Sequence, residues 1–159
     1  RVRSSAASDV YKRQIYVFNP SDDSLVKNLS DVNGCSGINI NPKTNQGVVS
    51  CGAIVTYDFA AMKKTGTIDQ GCGGDGTAYS AALDVYVQPA LFIPGPNIGC
   101  RFGSTVTLLH GSPPTFFTNV PLTMPGIIHS AAIDDTNKLV YVVGADGLYS
   151  FPIPTKPGG

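Results

Sequence analysis

Short apolar runs alternate with polar turns along the chain, and the same arrangement recurs three times. Short apolar runs bounded by Gly, Pro, Asn and Asp predict β-strands rather than helices. The three units come into register when Ile40, Leu83 and Ile133 are aligned. In each unit a first strand leads to a turn opened by Asn41, Asp84 or Asp134, and a second strand follows at 47–50, 90–93 or 140–143.

A third and a fourth strand extend the units. Third strands are predicted at 15–20, 53–59, 104–110 and 147–153, so they recur at about 40, 50 and 42 residues, and weaker fourth strands at 24–29, 64–69 and 115–120. Four-stranded units at this period are typical of a β-propeller, because a single blade cannot bury both faces alone and stacks against its neighbours. The alternative is a β-sandwich, which also uses many short strands.

Two stretches resemble known propeller families. The segment 53–71, AIVTYDFAAMKKTGTIDQG, resembles the outer half of a blade in YVTN-type propellers. The segment 125–151, PGIIHSAAIDDTNKLVYVVGADGLYSF, resembles a strand pair of NHL-type and gluconolactonase-like propellers. The resemblance covers residues 15–153 and implies an all-β propeller fold.

The first fourteen residues are set apart from a propeller domain at 15–159. They hold four of the eleven basic residues and show no apolar period, and they resemble the translated sequencing adaptor left in metagenomic assemblies. We expect 1–14 to be a non-native leader, the alternative being a natural basic leader. The rest predicts about three four-stranded blades and a single strand, whereas propellers close with four to eight blades. We therefore expect a fragment of a six- to eight-bladed ring whose exposed blade edges favour self-association.

Composition and charge narrow the class of partner. The chain has 18 Gly and 12 Pro but no Glu and no Trp, which disfavours helices. Residues 15–159 carry seven Lys and Arg against ten Asp, a net charge of −3, so neither nucleic acid nor an anionic membrane is an expected partner. No apolar run reaches the length of about 18 residues that a membrane-spanning helix needs.

The candidate ligand-binding residues are those where the first strand of each blade starts, at the mouth of the central channel. In the sequence alignment these positions are Ser36, Tyr79 and His129, and Asp75 is a nearby carboxylate. In gluconolactonase-like propellers the matching position often holds an Asn or Asp that binds calcium, and this chain departs from that pattern. The alternative for His129 is a structural histidine. The second histidine, His110, is predicted at the outer end of a third strand, which argues against a His–His pair.

Two segments between the strands are candidates for connections. The glycine-rich segment 69–79 lacks the Lys-Ser/Thr of a phosphate-binding loop and is predicted to cross from the outer strand of one blade to the inner strand of the next. The segment 89–103 contains three prolines and is predicted to border the channel or cover a neighbouring blade. Asp58, Asp134 and Asp135 are predicted to cap their own turns.

The cysteines predict disulfides rather than a metal site. None of Cys35, Cys51, Cys72 and Cys100 has C-x-x-C spacing, which disfavours zinc and thiol redox chemistry. If residue 41 faces residue 47, Cys35 and Cys51 lie within a diagonal of each other, and Cys72 and Cys100 bracket the next hairpin with longer arms. Two disulfides imply an oxidising compartment, and the alternative is four reduced cysteines in a cytosolic protein.

Three functions compete on these observations. Because no catalytic set is identifiable, the sequence favours an extracellular binding or scaffold module that holds a small molecule or a protein at the channel mouth. The alternative is a calcium-dependent, gluconolactonase-like lactonase with His129, Tyr79 and Asp75 in its site and calcium as its cofactor. A haem-linked redox propeller is disfavoured by the lack of a C-x-x-C-H motif. Asn28 lies in a glycosylation sequon, which is consistent with secretion.

Overall fold

The computed structural model describes residues 5–8, 15–32, 34–90, 104–123, 128–144 and 146–156, with the backbone alone for 5–8 and 104. In these ranges the chain is all-β, and its strands form four antiparallel sheets in which neighbours in sequence are neighbours in space. No described segment forms a helix with the length and apolarity of a membrane span.

We number the sheets as blades 1 to 4. Blade 1 contains β1 (Ser5–Ser8), β2 (Ile15–Phe18) and β3 (Leu25–Leu29), and blade 2 contains β4 (Gly37–Ile40), β5 (Gln46–Ser50), β6 (Ile54–Asp58) and β7 (Lys63–Ile68). Blade 3 contains β8 (Ala78–Ser80), β9 (Val85–Pro89), β10 (Ser104–His110) and β11 (Thr115–Leu122), and blade 4 contains β12 (Ser130–Asp134), β13 (Leu139–Gly144) and β14 (Gly147–Pro152).

The second strand of blade 3 differs from the prediction. It is β9, at Val85–Pro89, and not the segment 90–93, of which only Ala90 is described. The turn before β9 is correspondingly early, because Ser80 opens it by accepting a hydrogen bond from the Leu83 amide on its Oγ (3.0 Å). Asp84, predicted to open this turn, instead ends it with a φ of 51°.

A bulge at the same place in three blades confirms the repeat. The register between third and fourth strands shifts at Val17/Phe18 in blade 1, at Thr56/Tyr57 in blade 2 and at Leu108/Leu109 in blade 3. A bulge adds one residue to one strand and increases the local twist. The outer strand of each of these blades therefore bends in the same way.

Apolar side chains fill the spaces between successive blades. The second strands of blades 2 and 3, β5 and β9, are buried on both faces, which is why their sequences are rich in apolar residues. In β5, Val49 packs in the cluster shared with blade 1, whereas the adjacent Val48 packs in the cluster shared with blade 3. The cluster between blades 3 and 4 consists of Val85, Val87, Val106, Leu108, Ile128, Val140 and Val142.

The leader contributes a strand, although we expected residues 1–14 to take no part in the fold. Ser5–Ser8 pairs antiparallel with β2, from Ser5 opposite Phe18 to Ser8 opposite Ile15. Strand pairing uses backbone groups, so an unpaired edge accepts a segment that has no apolar period. That the leader is non-native stays a prediction.

Candidate binding site at the channel mouth

The turns between first and second strands fix which residues are equivalent among blades. Each turn ends on a non-glycine residue with positive φ, namely Asn45 (56°), Asp84 (51°) and Lys138 (55°). Nine residues earlier in each blade lie Ser36, Asp75 and His129. The first strands that follow adjoin one another, since β8 contacts both β4 and β12. We call these three positions the channel mouth.

This register corrects the sequence alignment at one position. Asp75, and not Tyr79, is the blade 3 equivalent of Ser36 and His129. The alignment was displaced by four residues because it matched Leu83, a turn residue, to Ile40 and Ile133, which lie within first strands.

Asp75 and His129 form a pair that joins blades 3 and 4. The Nδ1 atom of His129 lies 2.7 Å from Oδ2 of Asp75, and the side chains are 62% and 38% exposed, so both can contact a ligand. The backbones of the two blades meet at the same place, because the Gly76 amide donates to the His129 carbonyl (2.8 Å). A carboxylate only accepts hydrogen bonds, so Nδ1 of His129 is the donor in this pair, and in the neutral form of the ring Nε2 would be an acceptor.

The segment 69–77 presents Asp75 between two anchored glycines and crosses from blade 2 to blade 3 as predicted. On one side, the hydroxyls of Ser36 and Ser50 both donate to the Gly74 carbonyl, and the Gly74 amide donates to Ser50 Oγ (2.9 Å). On the other side, Nε2 of Gln88 donates to the Gly76 carbonyl (3.3 Å). Ser36 thus lies at the mouth, but its hydroxyl group donates its hydrogen bond to this segment.

Tyr79 lies away from the mouth, in the middle of β8 and near the turn that follows this strand. Its hydroxyl donates to Oδ1 of Asp84 (2.9 Å), and its ring centroid is 4.3 Å from that of Tyr86. Burial, reinforced by the Asp84 carboxylate, raises the pKa of Tyr79 well above its usual value. Tyr79 also packs against the apolar cluster shared by blades 2 and 3, which supports a structural role there.

A second polar cluster, which the sequence did not reveal, surrounds Asp84. Asn41 of blade 2 donates through Nδ2 to Asp84 Oδ1 (3.3 Å) and to Ser112 Oγ (2.9 Å), so the cluster joins blades 2 and 3. His110 lies beside it with its ring edge against Phe117, and burial lowers the pKa of this histidine. Its Nε2 atom is buried and has no hydrogen-bond partner in the described ranges. The two histidines therefore have different surroundings.

Two of the three aspartates predicted to cap their turns, Asp58 and Asp134, do so, and the role of Asp135 stays a prediction. Asp58 accepts a hydrogen bond from the Ala61 amide (2.9 Å), and Asp134 accepts from the amides of Thr136 and Asn137 (3.0 Å each). These backbone hydrogen bonds lower the pKa of both carboxyls. They support a structural role for the two residues.

One predicted disulfide is present, although the hairpin register differs from the assumed one. Cys35 and Cys51 are bonded, with an S–S distance of 2.06 Å. The hairpin pairs Ile40 with Gly47, one residue away from the register assumed from the sequence. Cys72 is also disulfide-bonded. Its predicted partner, Cys100, lies outside the described residues, as do positions 91–103 of the proline-rich segment.

Calcium and glycosylation stay predictions. No group of three or more His, Cys, Asp or Glu side chains comes together among the described residues, so calcium at Asp75 would need further ligands. Asn28 lies on β3 opposite Tyr16 and is only partly exposed.

Comparison with solved structures decides the fold class. A chain of a structure titled "Crystal Structure of Mitotic Checkpoint Complex" matches with a TM-score of 0.69 and 11% identity, over 94% of this chain and 45% of that chain. That neighbour is a propeller protein. The fold is a β-propeller.

The propeller assignment does not extend to a particular family. The chain spans less than half of the solved chain that it matches. No family model and no curated protein matches it. The resemblance to YVTN, NHL and gluconolactonase-like propellers therefore stays a prediction.

Proposed function

We propose that this propeller is a binding module whose ligand or protein partner is held at the channel mouth by Asp75 and His129. The observation that carries the proposal is the 2.7 Å pair between these exposed side chains, which belong to two blades at the start of their inner strands. A site shared by two blades is rigid because both blades are packed into the core.

The chemistry of the pair indicates the class of ligand. With His129 neutral, the mouth offers Nε2 of the ring and the carboxylate of Asp75, which are all acceptors. Hydroxyl, amide and cationic groups are donors that complement such a surface. We expect a polyhydroxylated small molecule or a basic side chain of a partner protein, in line with the net charge of −3 of residues 15–159.

Secretion is part of this proposal. The Cys35–Cys51 disulfide supports it, because disulfides persist in oxidising compartments and are rare in the cytosol.

A calcium-dependent lactonase is the second candidate. The Asp75–His129 pair favours it, because a carboxylate that orients an imidazole is a common arrangement for a general base. In that case His129 Nε2 takes a proton from the attacking water. Calcium would polarise the ester carbonyl. Among the described mouth residues, Asp75 is the carboxylate that would hold the ion.

Chemical-shift mapping on the ¹⁵N-labelled protein tests the binding site, with methylguanidinium and methyl glucoside as separate probes. We expect shifts of the amides of Asp75, Gly76 and His129 with at least one probe, and loss of these shifts in Asp75→Ala. Tyr79→Phe is the control, because Tyr79 contacts Asp84 at the other end of the strand, and it should leave the shifts unchanged. Shifts that persist in Asp75→Ala would refute the site.

Calorimetric titration with calcium separates the two candidates. Stoichiometric heat that is lost in both Asp75→Ala and His129→Ala would favour the lactonase and call for a lactone-hydrolysis assay. A folded protein that gives no heat with calcium, together with mapped shifts for an organic probe, would favour the binding module.

A further inference from the structure

Gln88 is a polar residue at a core position of the repeat. It lies four residues after the positive-φ residue of its turn, where blade 2 has Val49 and blade 4 has Val142. All three side chains are fully buried. A buried amide costs stability unless it is hydrogen-bonded. The Oε1 atom of Gln88 has no partner in the described ranges, so a valine would suit the core better.

The next residue explains why a donor is needed at this position. In blade 2, Gly37 pairs with Ser50 at the end of the inner hairpin, and the same register in blade 3 places Gly76 opposite Pro89. Proline has no amide proton, so Pro89 cannot donate to the Gly76 carbonyl. Nε2 of Gln88 donates there instead (3.3 Å), and also to the Pro89 carbonyl (3.0 Å).

Gly76 connects this substitute hydrogen bond to the mouth. Its amide donates to the His129 carbonyl (2.8 Å), and the residue before it is Asp75, which contacts His129 Nδ1. The peptide groups of Gly76 are therefore held by Gln88 on one side and by blade 4 on the other. Loss of the Gln88 bond frees the carbonyl and lets the backbone at Asp75 rotate.

We propose that Gln88 is a positioning residue for the Asp75–His129 pair, replacing the backbone donor that Pro89 lacks. The inference rests on the proposed function, since it concerns the same site. The proposal predicts that the Asp75–His129 pair depends on Gln88, which contacts neither of the two side chains.

The tautomer of the His129 ring, measured by ¹⁵N NMR at about pH 9, where an ordinary histidine is neutral, tests the proposal without a ligand. An imidazole without a partner favours the Nε2–H form, whereas pairing with Asp75 requires the Nδ1–H form. We expect Nδ1–H to be the major form in the wild type and the minor form in Asp75→Ala. Gln88→Val should also lose the Nδ1–H form while the protein stays folded.

A second substitution provides the rescue. Gln88→Val/Pro89→Ser recreates the Val-Ser pair of blade 2, with a backbone N–H opposite Gly76, and should restore the Nδ1–H form. Pro89→Ser alone should match the wild type. Gln88→Met, which keeps the length of the side chain but cannot donate, should behave like Gln88→Val and covers the case in which valine disturbs packing.

The outcomes separate this inference from the proposed function. An unchanged tautomer in Gln88→Val and Gln88→Met, with loss in Asp75→Ala, would overturn the positioning role and leave the pair intact. Loss of the Nδ1–H form in Gln88→Val/Pro89→Ser as well would also overturn the positioning role of Gln88. An Nδ1–H form that survives in Asp75→Ala would mean that the pair itself does not form.

Discussion

Two glycines at equivalent positions let neighbouring blades approach closely. Gly37 and Gly76 each follow a channel-mouth residue, and each lies against the mouth carbonyl of the next blade, that of Asp75 and that of His129 respectively. A Cβ atom on Gly76 would be 2.7 Å from the His129 oxygen, which is closer than real Cβ contacts. The lack of a side chain at these positions sets the distance between blades at the mouth.

Gly76→Ala should therefore destabilise the protein. We expect a loss of about 1–3 kcal/mol in the free energy of unfolding, because a methyl group there has to displace backbone. Urea denaturation measures the effect. Gly147→Ala is the matched control, because nothing lies within 4 Å of its Cβ position, and it should be close to neutral. Equal effects of the two substitutions would contradict this account.

The residues at the mouth were only partly predictable from the sequence. Ser36 and His129 were matched to each other in the alignment because Asn41 and Asp134 open their turns at the same offset in blades 2 and 4. Asp75 was assigned only as a neighbour, because Asp84 was taken to open its turn, whereas it ends the turn that Ser80 opens. Aspartate is one of the residues that tolerate positive φ, so Asp84 carried a signal for the end of the turn. Lys138, at the same place in blade 4, carried none.

At the scale of elements, the second strand of blade 3 was misplaced, whereas the predicted second strands of blades 2 and 4 and the predicted third strands overlap those observed. The predicted positions of β6, β10 and β14 overlap those observed, since valine, threonine and tyrosine mark them clearly. The sequence VYVQP of β9 was read as a turn, because the alignment placed it where the other two units have their turn. Pro89 is also unusual in a strand with neighbours on both sides. Gln88 makes the proline acceptable there, and a side-chain hydrogen bond of this kind leaves no periodic pattern in the sequence.

Buried tyrosines attach blade 2 to blade 1 and blade 3 to blade 2. Tyr57 of blade 2 donates to Asp31 (3.0 Å), which follows blade 1, and Tyr86 of blade 3 donates to the Gln46 carbonyl of blade 2 (3.1 Å). Burial raises the pKa of Tyr86 to about 12, and burial together with Asp31 raises that of Tyr57 further. Both phenols thus keep their protons at a pH where an unfolded tyrosine, with a pKa of about 10, has lost its own.

These shifts predict a loss of stability in alkali. The folded state binds the protons more tightly than the unfolded state, so the stabilisation is complete below about pH 10 and falls as the pH rises toward about 12. Urea unfolding at a series of pH values should show this decline. Tyr57→Phe should be less stable at neutral pH, through loss of the Asp31 hydrogen bond, but should decline less steeply. Parallel curves for the two proteins would show that Tyr57 does not contribute.

At the scale of the whole molecule, one face of blade 4 is apolar and exposed. Val143 and Leu148 lie opposite each other on β13 and β14 and are 55% and 67% exposed. The adjacent Val142 and Tyr149 point the other way, into the cluster shared with blade 3. Neighbouring blades cover both faces of the internal blades 2 and 3. The exposed face of blade 4 is therefore equivalent to a surface that is buried in those two blades.

We expect the protein to self-associate through this face. Sedimentation equilibrium should show an average mass that rises with protein concentration, and Val143→Thr/Leu148→Thr should reduce the rise. Phe116→Thr is a control on the outer strand of blade 3, because Phe116 is also exposed (36%) but belongs to a blade that packs against neighbours on both faces. A constant monomer mass, or equal effects of both variants, would count against this interface.

The crossing segment 69–77 has a consequence for how the molecule opens. It is bonded to blade 2 through Ser36 and Ser50, and to blade 3 through Thr107, which accepts from the Cys72 amide (2.9 Å). Neither blade can separate from the other without breaking hydrogen bonds to this one short segment. Blades 2 and 3 should therefore behave as one cooperative unit in native-state hydrogen exchange, with the amides of Val48 and Val87 exchanging through the same opening event.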